Sequence, residues 1–161
     1  MTNVPDLQAP YEAYFSKFKG EHTGIKAYYC TSTESIIAAS RSDDAFQYPL
    51  LHSELPTISL KGNRGNLITW FQAPLYILIK PTSGDTADVD GAFEQARKLT
   101  NHIVLTLFND HIEKDDEAEL LEFPIDSVHM EPVRSLWSDN AVGYELNLKV
   151  GFYTSTCLNE D

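Results

Sequence analysis

The sequence predicts an α+β fold: a mixed, mostly antiparallel sheet with one long helix packed across it and a C-terminal β-hairpin. Three observations predict it. From Ala141 to Tyr153, Val142, Tyr144, Leu146, Leu148, Val150 and Phe152 alternate with Gly143, Glu145, Asn147, Lys149 and Gly151, the period-two pattern of a half-buried strand. From Asp88 to His111, Val89, Phe93, Ala96, Thr100, Ile103 and Leu107 recur at helical spacing, broadened by Ala92, Leu99 and Val104, which marks one apolar helix face. Leu67 to Lys80 is apolar on both faces, as expected of a strand that is central or covered by a partner chain.

The remaining elements follow in chain order. Pro10, Tyr11, Tyr14, Phe15 and Phe18 suit a short amphipathic helix closed by Gly20, since proline is tolerated in a first helical turn and glycine ends helices. Ile25 to Cys30 reads as a strand. Thr31 and Glu34 have capping-box spacing ahead of a short helix through Ile36, Ile37 and Ala38 to Arg41, and Tyr48-Pro49 breaks that segment. Leu55 to Leu60 reads as a strand, and Gly62 to Asn66 as the turn into the two-faced strand. Pro74 inside that strand removes a ladder donor and predicts a bulge or an edge position. Ser127 to Trp137 is a further strand, joined to the last one through Ser138, Asp139 and Asn140, three turn formers.

Length places all 161 residues in one domain, with an N-terminal helix or arm over 1–20 and an acidic loop over 110–124. An apolar fraction of 42% excludes wholesale disorder. The longest apolar stretch, Ala73 to Ile79, is far below the roughly 18 residues of a membrane span, so no membrane partner is expected. The N-terminal residues carry no basic region or apolar run, and no signal peptide is expected. The two cysteines, Cys30 and Cys157, read as ordinary free thiols.

A formal charge of −12 argues against gripping a phosphate backbone, and no sequence-specific nucleic-acid binding is expected. Seven acidic residues between Asp110 and Glu122 face a single Lys114. That run is either a solvated loop or frayed helix end, or a surface that meets a basic partner or mimics DNA.

Catalytic signatures do not emerge. None of the five histidines sits in H-E-x-x-H spacing, and His111 with Glu113 is the nearest approach to a metal pair. The glycines at 62 and 65 lack a following Gly-Lys-Ser/Thr, and there is no G-x-S-x-G elbow or calcium-loop spacing. The expectation is a non-enzyme without cofactor or metal. The candidate functional residues are interaction surfaces. Leu105, Phe108 and Ile112 form a second stripe off the main helix face, covered either by a fold-back of Leu120, Leu121 and Phe123 or by another subunit. Arg134, Trp137, Asp139 and Asn140 cluster at the hairpin tip, where Trp137 serves an interface or caps the core.

Between Leu51 and Tyr153 the chain resembles the tail terminator (tail completion) proteins of long-tailed bacteriophages and related phage-tail-like particles. The resemblance is carried by "LPTISL", "NLITWFQAPLYILI", "DGAFEQARKLTNHIVLTLFND" and the ending "SVHMEPVRSLWSDNAVGYELNLKVGFY". It covers about two-thirds of the chain and rests on element order, not on invariant motifs; the first fifty residues lie outside it. What it implies is a virion structural protein, made in the host bacterial cytoplasm and located at the tail–neck junction. It implies a homo-hexameric ring that caps the tail tube and meets the tail tube protein and a neck or head-completion protein, with a lumen through which DNA can pass. The alternative that composition supports is an acidic monomeric binding module, either a toxin immunity protein or a DNA-mimic inhibitor.

Overall fold

The computed structural model describes residues 6–63, 66–113, 120–134 and 140–154. Helix α1 (Ala9–Ser16), strand β1 (Ala27–Cys30) and helix α2 (Thr33–Ser42) come first. Strands β2 (Leu50–Ser53), β3 (Thr57–Asn63) and β4 (Asn66–Ile79) lead into the long helix α3 (Thr86–Ile112). Then come β5 (Leu120–Glu122), a 3-10 turn (Ile125–Ser127), β6 (His129–Arg134) and β7 (Val142–Tyr153). The seven strands form one sheet in the order β1-β2-β4-β7-β5, with β3 also beside β4 and β6 also beside β7. Among the described strands only β1 and β2 run parallel, joined through α2; the other strand pairs are antiparallel. The predicted α+β class is the fold found.

The two longest strands make the spine. β4 and β7 pair over their whole length, from Ile68 opposite Tyr153 to Ile79 opposite Val142. Each spine strand then has two partners in succession along its other edge. β3 pairs residues 66–72 of β4 and β2 pairs residues 75–78; β6 and β5 divide β7 in the same way. Pro74 falls between β3 and β2. Its carbonyl accepts from the Glu54 N–H at 3.1 Å, and in an antiparallel ladder a residue's N and C=O point to the same side. The donor that proline lacks is therefore missing where the partner strand itself breaks, at Leu55-Pro56, and the expected bulge is replaced by a seam.

The apolar core lies on one face of the sheet. There α1 supplies Tyr11, Tyr14 and Phe15, and α3 supplies Ile103 and Leu107, against Leu51, Phe71, Leu75, Ile77, Leu146, Leu148, Val150 and Phe152. The α3 helix is continuous over 27 residues, about 40 Å at 1.5 Å per residue, and its N-terminal half packs on Ile79 and Val142 through Ala92 and Ala96. On the opposite face α2 buries Ile36 against Ala27, Leu50, Tyr76 and Leu78. That second layer covers only the β1–β2 end of the sheet.

Several details differ from the sequence reading. α2 is capped by Ser32, whose hydroxyl accepts from the Ser35 N–H at 3.3 Å, not by Thr31. The Thr31 N–H instead donates to the Ser53 carbonyl, which keeps Thr31 in the sheet and shifts the cap by one residue. The strand expected over 55–60 is β3, shifted to 57–63, and a strand that was not expected, β2, starts just after the cis Tyr48-Pro49 peptide. The predicted hairpin forms between β6 and β7. β6 starts at His129 because the 3-10 turn takes Ser127, and residues 135–139 of the expected strand and turn lie outside the described residues.

Candidate subunit interface

α3 carries two apolar stripes. Ala92, Ala96, Thr100, Ile103 and Leu107 are buried. Leu105 and Ile112 lie about 160–180° around the helix from Ile103 at 100° per residue, and Phe108 about 140°. Leu105 and Ile112 are 60% and 62% exposed, and Phe108 is 36% exposed. The 120–123 segment does fold back, but as β5 on the edge of β7, with Phe123 buried in the core; the second stripe stays open. Beside it, Asp110 accepts from Tyr14 Oη at 2.5 Å and pairs with Lys17 Nζ at 2.7 Å, which ties α1 to the end of α3. That stripe is thus held on a rigid element.

A second exposed apolar set was not recognised as such in the sequence. All seven residues of β3 are exposed, and Leu55, Ile58 and Leu60 are 57%, 39% and 51% exposed. Ile58 pairs with Phe71 and Leu60 with Thr69, so both point to the face that carries the core, beyond the reach of α1 and α3. The Thr-Ile-Ser-Leu alternation resembles that of any half-buried strand, and only the missing helix layer makes it different.

On the other face, Trp70 lies between Lys61 and Lys149, whose ammonium groups sit 5.9 and 4.9 Å from its ring.

At the hairpin end, Arg134 closes β6 with its guanidinium 5.8 Å from the Phe93 ring. Asn140 enters β7 with φ of 54°, a left-handed conformation that asparagine tolerates. Both line a cleft of about 600 Å³ with Lys80, Thr82, Ser83 and Val89. The adjacent start of α3 is served by its own carboxylates. Asp85 accepts from the Asp88 N–H, and Asp88 accepts from Ser83 N–H and Thr82 Oγ1; the Ser83 bond holds the Asp88 carboxyl below its ordinary value. Trp137 and Asp139 lie outside the described residues. The structure therefore joins Arg134 and Asn140 in one cleft and keeps them apart from the α3 stripe, which begins about 24 Å further along the helix at 1.5 Å per residue.

His52, Ser53 and Cys30 lie close together around β2 and β1. His52 and Ser53 are adjacent in β2 and fully buried, yet they point to opposite faces. His52 stacks on Tyr76 and its Nε2 donates to the Thr31 carbonyl at 3.0 Å. Ser53 Oγ donates to the Glu54 carbonyl and meets Tyr11 Oη at 2.7 Å. Burial pushes the Cys30 thiol up and the His52 imidazole down, opposite to an activated thiolate or a charged imidazole. Among the described residues, no group of three or more His, Cys, Asp or Glu is placed to hold a metal ion, and no helix is long and apolar enough to cross a membrane.

No family model, curated protein or solved structure matches the chain.

Proposed function

We propose that this protein is a tail terminator: a virion structural protein, not an enzyme, that forms a ring on the last turn of a phage-type tail tube and joins it to the neck. The observation that carries the reading is the open stripe Leu105, Phe108 and Ile112 on the far side of a helix whose other side is in the core. Large apolar side chains aligned on a rigid element suit a protein contact. The order of elements supports the same reading, with a two-faced strand, a long helix across the sheet and a terminal hairpin matching what the resemblance implies. A charge of −12 suits a ring whose lumen passes DNA without holding it.

The test is made on assembled particles. Imaging is expected to place the protein at the tail–neck junction, and Phe108→Asp is expected to disturb tail length or head joining. A protein absent from that junction, with Phe108→Asp neutral in assembly, ends the terminator reading. The charge also favours the acidic binding module. Under that reading the protein stays monomeric and forms a stoichiometric complex with one basic toxin or nuclease, which titration of a purified pair would reveal.

A further inference from the structure

In the half of the sheet away from α2, the strand order is β3-β4-β7-β5. Among the described strands β3 is flanked by β4 alone, while α3 lies over β7, β4 and β5. The two exposed apolar sets therefore sit apart: Leu55, Ile58 and Leu60 at the free edge of the sheet, Leu105, Phe108 and Ile112 on the outer side of α3. Among the described residues the first is a sheet face without a helix, and the second is a helix face without a sheet. Stable layers pair one with the other.

The charge is divided in the same way. β3 itself carries Lys61 and no acidic residue. The last turn of α3 carries Asp110, and Glu113 stands exposed at its C-cap. A carboxylate there faces the negative end of its own helix, a placement that local stability does not favour and a basic neighbour would.

We propose that β3 of one copy docks on the exposed α3 stripe of a second copy, head to tail, so that the neighbour's helix extends the helical layer over Ile58 and Leu60. The setting of this contact rests on the ring reading above; its geometry rests on the two patches alone. A contact between different patches is heterologous, so it propagates and closes into a ring when the rotation permits. The competing use of this edge, β3 against β3 of a second copy, would bring Lys61 towards Lys61 and leave the α3 stripe open.

Complementation tests it. Leu60→Asp and Ile112→Asp are made separately in the full chain, and sedimentation velocity is run on the wild type, each variant and their equimolar mixture. Both substitutions are at exposed positions, and an unchanged circular dichroism melt verifies folding. The wild type is expected to gain mass with concentration and to lose it as salt rises. Each variant alone is expected to remain monomeric. The mixture is expected to form a dimer and stop there, because one intact β3 and one intact α3 stripe remain. A wild type that is monomeric at every concentration, a mixture that yields no dimer, or an Ile112→Asp variant that associates like the wild type each overturns the proposal; the last outcome points to β3 against β3. Failure here with the protein imaged at the tail–neck junction leaves the terminator reading standing. Success here with the protein absent from particles removes that reading and keeps the contact.

Discussion

β2 and β3 pair in turn with the same edge of β4, yet all four residues of β2 are buried and all seven of β3 are exposed. Composition does not explain the contrast. β2 includes His52 and Ser53, and β3 includes Ile58 and Leu60. The difference is the layer above. α1 covers Leu51 on one face and α2 covers Leu50 on the other, whereas β3 extends past all three helices. Strand pairing satisfies backbone groups; a packed second layer removes side chains from water. Polar residues lie in the dry strand with hydrogen bonds made there, His52 Nε2 to the Thr31 carbonyl and Ser53 between Tyr11 and the Glu54 carbonyl.

If coverage sets the energetics, equivalent truncations in the two strands should separate widely. Leu51→Ala removes a fully buried side chain from the core and is expected to cost about 2–5 kcal/mol. Leu60→Ala, at 51% exposure, is expected to stay within about 0.5 kcal/mol. Urea denaturation at dilute protein concentration measures both, and similar losses would refute the contrast.

Two glycines of β7 sharpen it. A Cβ at Gly143, opposite Leu78 in the covered half, would lie 1.8 Å from the Ile77 carbonyl oxygen, which is backbone and cannot swing away. One at Gly151, in the other half, would meet the Ile68, Glu122 and Trp70 side chains at 3.0–3.3 Å. Gly143→Ala is therefore expected to cost about 3 kcal/mol or more, and Gly151→Ala clearly less, since side chains can shift. Melting temperatures in the reverse order would show that the covered half is the softer one.

Burial also gives the covered half a pH dependence. His52 is desolvated, which holds its imidazole below the ordinary value of 6.5. The unfolded chain then binds a proton that the folded one refuses, so the contribution is present above about 6.5 and is lost as pH falls through the folded-state value. Stability is expected to decline from about pH 7 to pH 5.5, and His52→Gln, which keeps an amide donor for Thr31, is expected to flatten that slope. An unchanged slope in the variant would assign the dependence to the carboxylates.

How much of this was legible in the sequence depended on length and on cover. β7 and α3 each show their period over a dozen residues or more, and β4 shows itself as a long run apolar on both faces. β2 was not legible, because four residues after Tyr48-Pro49, two of them polar, have no period of their own. β5 is three residues at the end of an acidic run. The α3 stripe was readable as a second apolar line, but its openness depended on where Leu120–Glu122 would go. The exposure of β3 was hidden for the opposite reason: Ile58 and Leu60 alternate as core residues do, and only the position of α1 and α3 leaves them bare. Of the hairpin-tip cluster, Arg134 and Asn140 share a cleft and carry no further role from geometry alone.

The smallest expected effect tests how β2 is held to its covering helix. Ser53 Oγ already donates to the Glu54 carbonyl at 2.8 Å, so its single proton is used and Tyr11 Oη must donate in the 2.7 Å contact between them. Tyr11→Phe removes that donor while leaving the aromatic packing on Phe15 and Phe71. Ser53 keeps its own bond and loses only a partner to one lone pair, so the loss is expected at about 0.5–1.5 kcal/mol. Ser53→Ala takes the acceptor from a buried Tyr11 hydroxyl and is expected to cost more, because an orphaned donor pays its full desolvation. In a double-mutant cycle the Phe–Ala pair should cost less than the sum of the two single changes. Strict additivity would mean that α1 is held on β2 by ring packing alone and that the hydroxyl pair is incidental.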